Sequence, residues 1–177
     1  MSPGGPAAAR IGVVSDTHLP RFGRRLPAPL VAGLEAAGVA LILHLGDHTS
    51  PDVAGLFEAI APFEAVAGNN DGDEIERRWG RRRIVTVGRV RLGMVHGDLG
   101  RGRTTPDRAV EAFRDDPVDA VLFGHSHVPL CERRDGVLLL NPGSPTDRRR
   151  NPAFSWALLD VAPDGTLTAE HRYFDRR

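Results

Sequence analysis

Lysine is absent: all 23 basic residues of the chain are arginine. Alanine, glycine and proline are frequent, so a GC-rich coding bias accounts for this without invoking phosphate chemistry. Arginine replaces lysine freely on surfaces, though not at bidentate sites. Cysteine is nearly absent, with Cys131 alone. One thiol cannot close an intramolecular disulfide or build a zinc site of several thiolates. A reducing, cytoplasmic setting is therefore expected, with Cys131 itself a small core hydrophobe. No apolar run approaches the ~20 residues that cross a bilayer, so no membrane association is expected. Neither charge is in excess, since 23 acidic residues balance the arginines. That removes an overall field that would draw the chain to nucleic acid or an anionic surface. Residues 1–9 lack an apolar core and early basic residues, and read as a flexible tail rather than a signal peptide. Residues 10–177 fit one domain with a substantial core.

What is present is a repeated pairing of apolar runs with polar ends. Residues 11–14 predict a strand. Residues 28–37 carry Leu30, Val31 and Leu34 at helical spacing. Residues 40–45 form an apolar run broken only by His44, as in a strand buried on both faces. Ser50-Pro51-Asp52 supplies a helix start, with Ser as N-cap and Pro at the first helical position. Residues 63–67 predict a third strand, and this βαβαβ order implies a parallel sheet. The second half reads as hairpins. Gly88-Arg89 joins 83–87 to 90–95, Asp135-Gly136 joins 129–133 to 137–140, and Asp164-Gly165 joins 154–161 to 166–174. Thr105-Pro106-Asp107 repeats the helix-start chemistry, and 120–123 is a short buried strand. Two sheets packed face to face with helices outside are expected.

Five polar motifs follow five of these runs: Asp16-Thr17-His18, Gly46-Asp47, Gly68-Asn69-Asn70-Asp71, His96-Gly97 and Gly124-His125-Ser126-His127. Strands that end this way deliver ligands to one sheet edge. Asp16, Asp47, Asn69, His18, His96, His125 and His127 offer two carboxylates, one amide oxygen and four imidazoles. That donor set suits Mn²⁺, Fe, Ni²⁺ or Zn²⁺ better than Ca²⁺ or Mg²⁺. Asp16 and His18, like His125 and His127, are two residues apart, and in extended chain such pairs point to one side. Glycines 46, 68, 97 and 124 let the backbone turn and keep side chains off a metal.

This ordered set resembles the calcineurin-like metallophosphoesterase superfamily over about residues 10 to 174, and more closely its small bacterial and archaeal phosphodiesterase branch. Asn141-Pro142-Gly143-Ser144 is similar to that branch too. The resemblance implies an α/β fold, a two-sheet β-sandwich flanked by helices. It also implies two divalent ions, Mn²⁺ foremost. Asp16, His18, Asp47 and His127 would hold the first; Asp47, Asn69, His96 and His125 would hold the second, with Asp47 bridging. A water bridging the ions would yield a hydroxide that attacks phosphorus in line with the leaving oxygen. Asn70 and Asp71 occupy the catalytic end of the third motif. Many superfamily enzymes hold a histidine where this chain has Asn70, and asparagine cannot act as a general acid near neutral pH. Asp71 would orient Asn70 or bind solvent.

The implied substrate is a small phosphodiester or nucleotide-like molecule, with a phosphomonoester as the alternative. Arg101 and Arg103, in a glycine-rich loop after His96, are candidates for phosphate contact, and His48 is a candidate for the substrate mouth. The runs Arg77-Arg78, Arg81-Arg82-Arg83 and Arg148-Arg149-Arg150 read as solvated faces. No aromatic series accompanies them, so nucleic acid is not the expected partner. His44 reads as a hydrogen-bonded core histidine and His171 as structural or solvated. A homo-oligomer is compatible with the sequence. The rival from another class is a protein-binding scaffold on the same fold, as in a eukaryotic retromer subunit. Filled ligand positions favour chemistry. Protein phosphatases are less similar, because His48-Thr49-Ser50 and Asn69-Asn70-Asp71 depart from their motifs.

Overall fold

The structure is a computed structural model that describes residues 9–176. The expected tail lies outside these residues except for Ala9, which opens the first strand. Three parallel strands come first: β1 (Ala9–Val14), β2 (Leu41–His44) and β3 (Phe63–Ala65). They alternate with α1 (Ala28–Ala37) and α2 (Asp52–Glu58). Next come α3 (Asp73–Trp79), β4 (Arg82–Val87), β5 (Val90–Val95), α4 (Thr105–Glu111) and β6 (Ala120–Leu122). The chain closes with β7 (Leu130–Arg134), β8 (Val137–Asn141), β9 (Phe154–Val161) and β10 (Leu167–Phe174).

Two five-stranded sheets result, ordered β10-β9-β1-β2-β3 and β4-β5-β6-β8-β7. The second sheet is more than hairpins: β5, β6 and β8 run parallel at its centre, with β4 and β7 antiparallel at its edges. Parallel strands have their carboxyl ends on one side, where open α/β sheets place their sites. The expected motifs follow β1, β2, β3, β5 and β6.

Strand side chains alternate between two buried environments. Ile11, Val13, Leu43 and Leu45 face Leu92, Met94, Leu122 and Leu140 between the sheets. Val14 and Ile42 face outward onto Leu30, Leu34, Val53 and Phe57 of the first two helices. Val121 and Leu139 meet Ala109 and Phe113 on the far side. Burial on both faces is why the central strands read as unbroken apolar runs. Among the described residues, no helix is long and apolar enough to cross a membrane.

Three local expectations need correction. The helix α3 lies within the stretch read as charge runs. Only Ile75 of it is buried, so no apolar stripe marks it; its signals are Asp73, Glu74 and Glu76 in the first turn and Arg77 and Arg78 in the last, matched to the helix dipole. Cys131 is exposed on the edge strand β7 rather than in the core. The α4 start is shifted by one residue: Thr104 is the N-cap. Its hydroxyl accepts from Asp107 N–H at 3.3 Å, and the Asp107 carboxylate accepts from Thr104 N–H at 3.2 Å.

This reciprocal cap predicts that Thr104→Ala lowers stability by about 1 kcal/mol. Thermal unfolding should show that as a fall in Tm of roughly 2–4 °C for a chain of this size. An unchanged Tm would mean that the cap contributes nothing.

Candidate metal centre

The motif residues do not leave their strands in extended conformation, as the spacing suggested. Asp16 (φ 56°), His18 (φ 45°), Asp47 (φ 59°), His125 (φ 66°) and His127 (φ 61°) all adopt left-handed backbone. Each such non-glycine residue costs on the order of 1–3 kcal/mol and persists only where its surroundings fix it. Here they do. Asp16 N–H donates to Gly46 O and His18 N–H to Asp47 O, both at 3.0 Å. Ser144 Oγ donates to Asp16 O at 2.8 Å, and Thr146 Oγ1 to Thr17 O at 2.7 Å. Asn141 Nδ2 donates to Gly124 O at 2.9 Å, holding the histidine-pair loop.

Within this frame Asp16 is fully buried. Its Oδ2 accepts from Ser15 Oγ at 2.6 Å and from His125 N–H at 3.0 Å. Its Oδ1 has no hydrogen-bond partner, and neither has the buried Nε2 of His18, His96 or His127. These four atoms converge. Asp16 Oδ1 lies 3.3 Å from His127 Nε2, 3.7 Å from His18 Nε2 and 3.8 Å from His96 Nε2. Asp47 Oδ2 lies 3.5 Å from His18 Nε2 and 3.4 Å from His96 Nε2. Most of these spans are too long for hydrogen bonds. Ligands bound at ~2.0–2.2 Å around one cation stand about 3.0–3.4 Å apart, which is close to what is seen. Two groups of donors form: Asp16, His18 and His127, and Asp16, Asp47 and His96.

The opposite ring nitrogens fix the tautomers. His96 Nδ1 donates to Leu45 O at 2.7 Å and His127 Nδ1 to Asp147 O at 2.6 Å. In the neutral ring the lone pair then sits on Nε2, aimed at the carboxylates. Electrostatics point the same way. Burial alone would lower His96, but Asp16 and Asp47 outweigh it and push its pKa up to about 9. Burial would raise Asp16, yet His96, His127 and His18 hold it well below the carboxylate range. Asp47, likewise opposed by burial, is drawn down to about 2 by His96 and Asn70. The chain thus builds a buried place for positive charge, and the residues present fit a divalent cation.

Asn69 and His125 stand together at the open side, with His125 Nδ1 and Asn69 Oδ1 at 3.0 Å. Their neighbours differ from expectation. Asp71 does not orient Asn70. Its carboxylate accepts from the backbone N–H of Asp47, Thr49 and Gly68 at 2.8, 2.7 and 2.7 Å, tying the second motif to the third. Asn70 grips Asp47 directly, through N–H to Oδ1 at 2.9 Å and Nδ2 to Oδ2 at 2.7 Å. His48 is not at an open mouth: the residue is 1% exposed and its Nε2 donates to Val66 O at 3.1 Å. Arg101 and Arg103 are exposed beyond Asp98. Glycines 46 and 97 turn the chain as expected. Glycines 68 and 124 instead make room, since a Cβ would collide with the Asp47 carboxylate at 68 and with Ser15 and Asp16 at 124.

Four site residues escaped the sequence reading: Ser15 and Thr146, whose hydroxyls hold the first motif, and Arg81 and Asp147. Arg81 donates to Gly68 O at 2.9 Å and pairs with Asp98, so it braces the third motif against the fourth. It was masked inside an arginine run, and only the turn at Gly80 (φ 72°) separates it from α3. Asp147, whose carbonyl sets the His127 tautomer, carries no motif at all.

Comparison with known proteins agrees with this geometry. The calcineurin-like phosphoesterase superfamily domain matches residues 10–164. A Methanothermobacter thermautotrophicus protein named probable metallophosphoesterase is 38% identical over 141 residues, 77% of each chain. A phosphodiesterase of Methanocaldococcus jannaschii is 27% identical over 148 residues, 76% of this chain and 82% of that one. The structure of vacuolar protein sorting 29 from Cryptosporidium parvum has a TM-score of 0.76 at 19% identity, covering 95% of this chain and 98% of that one. Its likeness speaks for the fold. Because the domain match runs from the first strand to the final hairpin and takes in every one of the ligand-bearing turns, the chain belongs to the calcineurin-like phosphoesterase superfamily.

Proposed function

We propose that this chain is a two-metal phosphodiesterase acting on small phosphodiester or nucleotide-like substrates. The observation that carries the reading is the convergence of four buried, unpartnered atoms: Asp16 Oδ1 and the Nε2 atoms of His18, His96 and His127. Asp16, His18, Asp47 and His127 would hold one ion; Asp47, Asn69, His96 and His125 would hold the other. The mixed carboxylate and imidazole donors favour Mn²⁺, with Fe, Ni²⁺ or Zn²⁺ as alternatives. When bound, such ions supply Lewis acidity that activates water and offsets charge on the phosphoryl oxygens.

The chain's own groups do the positioning. Leu45 O and Asp147 O orient His96 and His127, and Asn70 clamps Asp47. Arg101 and Arg103 lie free in the loop after the fourth motif, where a phosphate oxygen could recruit them. Among the described residues both the backbone N–H and the side-chain amide of Asn70 are engaged by Asp47, and an amide is no general acid, so the leaving group is expected to depart with little proton assistance. That favours leaving groups of low basicity. A protein-binding scaffold is the second reading, supported by the fold likeness to vacuolar protein sorting 29. The family match and the relative named a phosphodiesterase favour the enzyme.

Chelator-stripped protein should lose hydrolysis of an aryl phosphodiester and regain it with Mn²⁺. Asp47→Ala should abolish activity and lower metal stoichiometry. Full activity after verified metal removal would exclude the mechanism.

A series of aryl phosphodiesters should give rates that depend steeply on leaving-group pKa. Asn70→His at matched metal content should flatten that dependence. The gain should fall short of the ~10²–10⁴-fold of a well-placed acid, because the substitution also removes the hydrogen bond that Asn70 Nδ2 donates to Asp47 Oδ2. A shallow slope in the unsubstituted protein would show that another group already donates the proton.

A further inference from the structure

His44 is the last residue of β2 and is buried, as is its neighbour in space, His48. Their rings stack at 3.9 Å. Phe57 and Phe63 close around them, with ring centroids 5.7 and 6.2 Å from His44. Two imidazoles are a costly way to fill a core if packing is all they do, since buried polar groups must be satisfied. These are satisfied in a particular way. Gly46 N–H donates to His44 Nδ1 at 3.2 Å, so in the neutral ring the hydrogen sits on Nε2. That hydrogen is given to Thr17 Oγ1 at 3.0 Å. His48 Nε2 donates to Val66 O.

The partners are the point. Thr17 lies between Asp16 and His18. Gly46 directly precedes Asp47. Val66 leads into Gly68-Asn69. The ring pair therefore touches the chain at three of the five ligand-bearing turns, although neither His44 nor His48 belongs to either group of converging donors.

We infer that His44, backed by His48, is a positioning residue that holds the first and second motifs at one spacing, so that two ions bind as a coupled pair. The inference rests on the metal-site reading above. It goes beyond that reading by giving a role to buried imidazoles outside the donor set. A leucine in place of His44 would pack, but it would leave Gly46 N–H and Thr17 Oγ1 without partners, and both ligand turns would be free to shift.

The test is Mn²⁺ titration of the metal-free full chain, followed by calorimetry and by electron paramagnetic resonance. Spin-coupled Mn²⁺ pairs and isolated ions give distinct spectra. The wild type should bind two ions and show the coupled signal. His44→Phe keeps a ring for the stack and loses both hydrogen bonds. It should weaken binding of the second ion roughly 10–100-fold, as loss of outer partners of metal ligands does, and show isolated ions at subsaturating metal. Thr17→Val should act in the same direction. The double variant should be no worse than His44→Phe alone, because the link that Thr17→Val cuts is already one of the two lost in His44→Phe. His44→Gln, which keeps a donor toward Thr17, should recover part of the coupled signal. Should His44→Phe fail to fold, Thr17→Val and His44→Gln still decide. Unchanged affinity and coupling in the variants, with only Tm lowered, would reduce His44 to a core residue and overturn the inference. A wild type that binds no Mn²⁺ would overturn the metal reading and this one together.

Discussion

A single buried charge governs the arrangement. Asp16 is held ionised at the end of β1, out of contact with water, with only a serine hydroxyl and one backbone amide to satisfy one of its oxygens. An uncompensated carboxylate in such a place costs several kcal/mol. Everything nearby responds to that cost. Three imidazoles turn their Nε2 atoms toward it, Asp47 adds a second negative centre, and carbonyls behind His96 and His127 dictate which nitrogen carries hydrogen. In the chain alone, the nearby carboxylates raise the pKa of His96 and His127 and so favour a proton there. A divalent ion does the same work with more charge and with directed bonds.

The cost of the local backbone is met by a network reaching across the sequence. Asp71 gathers two amides from the second turn and one from its own, Ser144 and Thr146 hold the carbonyls of the first turn, and Arg81 joins the third motif to the fourth. None of these groups needs to meet a substrate. They make five left-handed, non-glycine residues tolerable at once. Asp and His at these positions are suited to both demands, since short polar side chains and imidazoles enter left-handed backbone more readily than branched ones.

How much of this was legible in the sequence follows from what kind of physics each part uses. The strand order was readable because β1, β2 and β6 are buried on both faces and leave continuous apolar runs. The five donors that converge, Asp16, His18, Asp47, His96 and His127, were singled out because side-chain chemistry is printed in the residue names, and their order resembles a known family. The helix α3 was not readable, because it buries one side chain and is held by charges at its ends. The left-handed turns were not readable either, since an Asp or His in a strand-end motif looks the same for either sign of φ. Asp71 and His48 were misread for a third reason. Each was placed by its neighbours in sequence, whereas Asp71 reaches back to Asp47 and Thr49, and His48 turns inward to Val66.

The motifs come from both layers of the sandwich: Asp16, Asp47 and Asn69 from one sheet, His96 and the histidine pair from the other. The apolar seam between the sheets has no covalent cross-link and relies on side-chain packing along its length. An ion held by Asp47 and His96 would fasten the two layers at one end, as a clasp fastens the covers of a book. Opening the seam there would require releasing the ion first. Slow amide hydrogen exchange at that edge would then report metal occupancy, and the opposite end of the sandwich would be left to breathe.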